Sequence, residues 1–183
     1  MRAFIAIDFS SLLKDQIAGL QRELRPFASS VRWKYIDNFH LTLKFLGEIE
    51  PGKIEGIGEE VGKICRPLAP FSLKVSNIGC FPGKDSFRVV WLGLSGDLDR
   101  LRSLQSEIDT CLGKLGFEIE KRSYKPHVTI AQDVVFNTGF EKISEIASKI
   151  SFSDIYVDRV YLIKSEQIGA RRVYTPVSGY CFG

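Results

Sequence analysis

Two histidines occur in the 183 residues, and both open the same kind of tetrapeptide: His40 in "HLTL" and His127 in "HVTI". Imidazole titrates near pH 6.5, so at neutral pH one such group can accept a proton while another donates one. Two of them aimed at one substrate suit cleavage of a phosphodiester. One takes a proton from the attacking oxygen and its partner protonates the oxygen that leaves. The hydroxyls of Thr42 and Thr129, together with a protonated imidazole, would hold the non-bridging phosphate oxygens on which charge builds. The chain contains only five threonines. Finding one of them two places after each histidine, with apolar residues between and beyond, is poorly explained by chance. The competing explanation is a pair of structural histidines on strands, where Thr is favoured sterically. No glycine-rich phosphate loop, G-x-S-x-G elbow or H-E-x-x-H helix offers a rival chemistry.

Strands must carry these motifs if the pattern is to work. Side chains alternate along a strand, so His40 and Thr42 share one face while Leu41 and Leu43 anchor the other, and His127 and Thr129 likewise oppose Val128 and Ile130. Around them the sequence predicts further strands at 2–9, 31–35, 71–79, 87–94, 117–120, 155–166 and 171–182. A helix capped by Ser10 or Ser11 runs to Leu24 and stops before Pro26, and a second opens at Pro51 and runs through Ile64. The clearest helix starts at Asp97 and closes at Gly116, with a stripe of Leu98, Leu101, Leu104, Ile108, Cys111 and Leu115, and a short one spans 140–150. Mixed helix and strand with short connections predict an α+β fold with largely antiparallel sheets. The two histidines lie 87 residues apart, with a helix before and after each motif strand. That spacing predicts two similar, intertwined lobes within one domain over 1–183, each offering a motif to a shared cleft.

Composition narrows the classes. Hydrophobic residues make up 44% and charged residues 26%, and 13 Phe, six Tyr and two Trp can fill a core, which excludes a disordered chain. A net charge of +3 permits an anionic partner without requiring one. Cys65, Cys80, Cys111 and Cys181 have no C-x-x-C spacing, so isolated reduced thiols are expected, with neither a zinc site nor any other metal or cofactor. Asp8 interrupts the first apolar run too early for a signal peptide, and no run approaches a membrane span. A cytoplasmic monomer with no membrane association is expected. Arg32, Lys34, Lys44, Lys121, Arg122 and Lys125 flank the motifs and together could guide a nucleic-acid backbone.

"FHLTLKFLGEIEPGKI" and "YKPHVTIAQ", with "RAFIAIDF", "IGCFP", "FRVVWLGL" and "RRVYTPVSGY", resemble the 2H phosphoesterases over nearly the whole chain, and within them the RNA 2′,3′-cyclic phosphodiesterases, also called 2′-5′ RNA ligases. The resemblance implies a bilobal α+β fold of two pseudo-twofold-related lobes, with antiparallel sheets flanked by helices and the motifs facing across a central cleft. It implies metal-independent opening of a 2′,3′-cyclic phosphate at an RNA end to a 2′-phosphate. His40 would be the proton donor and His127 the proton acceptor, with Thr42 and Thr129 binding the phosphate, although the two histidines could exchange roles in the reverse direction. Two alternatives stay open: 2′-5′ joining of cyclic-phosphate and 5′-hydroxyl RNA (tRNA) ends, and a module that binds RNA or nucleotides without turnover. Gln132 stands where relatives often carry an Arg able to stack on a base, which puts base contacts in question. Phe45 matches a base-stacking aromatic of relatives, whereas strict alternation would bury it with Leu41 and Leu43.

Overall fold

A computed structural model describes all of residues 1–183. Nine strands and four α-helices follow in the order β1 (Arg2–Asp8), α1 (Ser11–Leu24), β2 (Ala28–Trp33), β3 (His40–Glu48), α2 (Ile54–Cys65), β4 (Phe71–Pro82), β5 (Phe87–Gly96), α3 (Leu98–Lys114), β6 (His127–Phe136), α4 (Phe140–Ser148), β7 (Ile155–Val157), β8 (Arg159–Ile168) and β9 (Arg171–Cys181). Local chemistry explains most boundaries. The Ser10 hydroxyl accepts the amide of Leu13 and caps α1, and Pro26 sits in the 3-10 turn that ends it. A left-handed Gly169 turns β8 into β9.

The strands form two antiparallel sheets, ordered β3-β1-β8-β9 and β2-β6-β5-β4-β7. Helices α2 and α3 cover the first, and α1 and α4 the second. Each sheet is therefore covered by one helix from each half of the chain, and β2 from the first half pairs with β6 from the second. A single core of 36 buried residues runs through both layers, from Ile5, Leu41 and Leu162 to Leu92, Val128 and Ile143. The α+β, bilobal reading holds, with β3 and β6 lying against each other where the sheets meet across the cleft.

Two sequence expectations are corrected. The stretch "FEIE" at 117–120 is not a strand. Its backbone is taken up by side chains instead: the Glu118 carbonyl accepts from the Lys44 ammonium, and the Glu120 amide points at the Asp109 carboxylate. The apolar run 155–166 is two strands, since the chain passes from the second sheet (β7) to the first (β8) at Asp158.

Candidate active site

Both motif strands carry a β-bulge at the same place. Thr42 pairs with Ala6 of β1 and Lys44 with Ile5, leaving Leu43 as the extra residue. In β6, Thr129 pairs with Trp91 and Ala131 with Val90, leaving Ile130 extra. A bulge inserts one residue and reverses the alternation beyond it. Leu43 and Lys44 are consequently both buried, as are Ile130 and Ala131. The fifth residue after each histidine, Phe45 or Gln132, returns to the histidine's side of its strand. This overturns the alternation-based burial of Phe45. Its ring is 73% exposed and lies 6.1 Å from Phe4.

The two imidazoles are held alike. The Nδ1–H of His40 donates to the carbonyl of Asn38 at 2.9 Å, and that of His127 to the carbonyl of Lys125 at 2.7 Å. A carbonyl can only accept, so Nδ1 carries the proton in both, and each Nε2 is the ring nitrogen left for another partner. Nε2 of His40 lies 3.0 Å from Thr42 Oγ1. Two aromatic rings flank each imidazole. Phe4 and Tyr174 are centred 4.7 and 5.2 Å from His40, and Phe81 and Trp91 are 5.4 and 6.3 Å from His127. Trp91 fits only because Gly79 lies beneath it, since a Cβ there would run into the indole. Sequence reading missed all four rings. They come from β1, β9, β4 and β5, and nothing local to the motifs marks them.

The strands are also tied to each other. Tyr124, three residues before His127, donates its hydroxyl to the Thr42 carbonyl at 2.9 Å. The buried Gln21 amide donates to the carbonyls of Lys34 and Ile130, at 2.9 and 2.8 Å, which locks the end of β2 to β6. These bonds hold β3, which carries His40 and Thr42, against β6, which carries His127 and Thr129.

Of the basic residues flanking the motifs, Lys44 is not available to RNA. The bulge turns its side chain inward to a buried ion pair with Asp109, where it is 3% exposed. Arg32 pairs with Asp133 at 2.6 Å and Arg122 with Glu120 at 3.1 Å, while Lys34, Lys121 and Lys125 have no carboxylate partner. No three His, Cys, Asp or Glu side chains converge as metal ligands would. All four cysteines are free thiols.

Burial beneath Phe4 and Tyr174 pushes the pKa of His40 down to about 4, and Lys34 adds to the shift, against the Asn38 carbonyl and Asp8, which raise it. His40 is therefore neutral at pH 7 in the free protein. The unfolded chain protonates this imidazole near pH 6.5, so between pH 6.5 and 4 the unfolded state binds the extra proton. Stability should accordingly fall as pH drops through that window, by at most about 3 kcal/mol. Denaturant unfolding at stepped pH should show the slope, and His40→Asn should remove it. The same slope in His40→Asn would mean that another group titrates there.

The chain matches the family model for LigT like phosphoesterases twice, over residues 7–91 and 92–174. The two matches each contain one motif. Among curated proteins it is similar to the RNA 2′,3′-cyclic phosphodiesterase of Thermotoga maritima, 35% identical over 90% of this chain and 87% of the relative. The protein of the same name from Methanothermobacter thermautotrophicus is 32% identical over 96% of this chain and 95% of its own length. Among solved structures, E. coli LigT complexed with 3′-AMP superposes with a TM-score of 0.80 at 26% identity, over 99% of this chain and 97% of that one.

Proposed function

Because the chain belongs to the LigT like phosphoesterase family, we propose that it hydrolyses 2′,3′-cyclic phosphates at RNA ends to 2′-phosphates, using its two histidines as acid and base without a metal ion. The observation that carries this reading is the equivalence of the two sites: the same tetrapeptide, the same bulge and the same Nδ1–H to carbonyl bond on facing strands. A binding module has no need of two proton-transfer groups in matched tautomers. Relatives of similar length carry the phosphodiesterase name over nearly their whole sequence, and this favours hydrolysis over end-joining.

In the proposed reaction, Nε2 of His127 takes a proton from water as the water oxygen attacks phosphorus. The 3′ oxygen leaves and takes a proton from Nε2 of His40, so one P–O bond forms, one breaks and no proton is lost overall. Ring strain in the five-membered cyclic ester supplies part of the driving force. Thr42 and Thr129 hydroxyls donate to the non-bridging oxygens, where they stabilise the charge that develops in the transition state. Phe45, exposed beside Phe4, offers a face for the terminal base. Gln132, on the equivalent position of β6, can hydrogen-bond but not stack as a cation.

The donor role requires a proton on His40 in the complex. A bound phosphate anion close to Nε2 favours the imidazolium and should raise the low midpoint of the free protein. Turnover of adenosine 2′,3′-cyclic phosphate in EDTA tests the reaction, with 2′-AMP as the expected product. No turnover in EDTA, restored by an added divalent ion, would overturn the metal-free mechanism. Titration of the His40 Cε1–H by NMR tests the role, with the midpoint rising once 2′-AMP is bound. A midpoint that stays near 4 in the complex would exchange the roles of the two histidines.

A further inference from the structure

Arg32, Lys44, Arg122 and Arg171 are already matched to carboxylates, but Lys34 and Arg172 are not. Lys34 uses only its backbone groups, its amide donating to the Ile130 carbonyl at 3.0 Å and its carbonyl accepting from Gln21. It follows Trp33, which packs against the core, and lies two residues along from Arg32, the cross-strand partner of Gln132. Just past the end of β2, its side chain returns to the side of the sheet on which Arg32 faces Gln132. There its ammonium is close enough to His40 to depress the imidazole. Burial lowers the pKa of Lys34 itself, and the charges of Arg32 and Arg172 lower it further.

Arg172 reaches the same place from the other sheet. It precedes Tyr174 by two residues on β9, so it shares the face on which Tyr174 touches His40. Its carbonyl accepts from the buried Asn38 amide at 2.8 Å, and the Asn38 carbonyl in turn holds His40 Nδ1–H. Its guanidinium has one neutral contact, Ser165 Oγ at 3.4 Å. The adjacent Arg171 is fully engaged by comparison, paired with Asp37 at 2.8 Å and stacked over Tyr35 at 4.3 Å. Two half-buried cations side by side without a counter-ion are unfavourable in the free protein, and an anion between them removes that cost.

Within an RNA chain that ends in a 2′,3′-cyclic phosphate, the nearest other anion is the phosphate on the 5′ oxygen of the terminal nucleoside. We propose that Lys34 and Arg172 form a second anion subsite that takes this 5′ phosphate, so that the cleft is built for the end of an RNA chain rather than for a free cyclic mononucleotide. The proposal rests on the cyclic phosphodiesterase reading and specifies its substrate class.

The test compares kcat/KM for adenosine 2′,3′-cyclic phosphate with and without a 5′ phosphate, at fixed ionic strength. The 5′-phosphorylated substrate should be favoured, and Lys34→Met or Arg172→Met should each cut the ratio about tenfold, as expected for loss of one charged hydrogen bond. Each variant should also flatten the salt dependence of log KM for the 5′-phosphorylated substrate by about 0.7. A wild-type ratio near one would overturn the subsite. So would variants that slow both substrates equally, because the cations would then serve the cyclic phosphate or the fold. Binding separates the subsite from the reaction. Calorimetry of adenosine 2′,5′-bisphosphate against 2′-AMP should show the same affinity gain, lost in both variants, even if neither cyclic substrate were turned over. Loss of turnover alone would sink only the hydrolase reading. Equal affinities for the two ligands in the wild type would sink the subsite.

Discussion

His40→Ala and His127→Ala are each expected to lower kcat on adenosine 2′,3′-cyclic phosphate about 10²–10⁴-fold, the usual worth of a positioned acid or base. The two losses should not multiply in the double variant, because an acid without its base has little left to assist. Thr42→Val and Thr129→Val should cost about 10–100-fold, each removing one hydrogen bond to a charged phosphate. The fold should survive all four changes. The His127 ring makes one hydrogen bond, to a backbone carbonyl, and neither histidine belongs to the buried core. Far-UV circular dichroism and unfolding midpoints check this alongside the rates. A variant of either histidine with near-native kcat would remove it from the reaction.

Lys44→Ala or Asp109→Ala should each destabilise the protein by about 3–5 kcal/mol, because each strands its partner's charge in a site closed to water. The side chains are 3% and 10% exposed, so solvent cannot take over the lost contact. Typical domains have only about 5–15 kcal/mol in hand, so either change removes a large share. Lys44→Met with Asp109→Leu should recover much of the loss, since no uncompensated charge then remains. Urea unfolding of the three variants measures the pattern. Single variants within about 1 kcal/mol of wild type would show that the pair is not closed to water. The pair also holds the 117–121 segment against β3, so the single variants should loosen the motif strand and lower turnover as well.

Both of these predictions involve β3, but only the first was legible before the fold. The His-x-Thr pattern can be read directly because alternation is a property of the local backbone and needs no partner. The same holds for α1, α2 and α3, whose apolar stripes are local, for the Ser10 cap of α1, and for the β4–β5 hairpin, which closes across a short turn. Two lobes with one motif each followed from spacing alone.

What came after the bulge did not follow. Whether Leu43 is an extra residue depends on the register of β3 against β1, which is set by pairing with a strand 30 or more residues away. That register sends Lys44 to the core and Phe45 to the cleft, the reverse of simple alternation. "FEIE" has strand-forming residues, yet Lys44 and Asp109 capture its backbone groups before any strand can. The low pKa of His40 comes from Phe4 and Tyr174, at opposite ends of the chain, closing over it. The cations make the same point. Lys and Arg are plain in the sequence, but whether each is neutralised depends on which carboxylates the fold brings within reach. Arg32, Lys44 and Arg122 find one, and Lys34 and Arg172 do not. The sequence by itself determined the two His-x-Thr pairs and the strands that carry them. The tertiary structure decided their protonation, which neighbours are buried and which charges remain for a substrate, because burial and Coulomb energy depend on distances in space rather than along the chain.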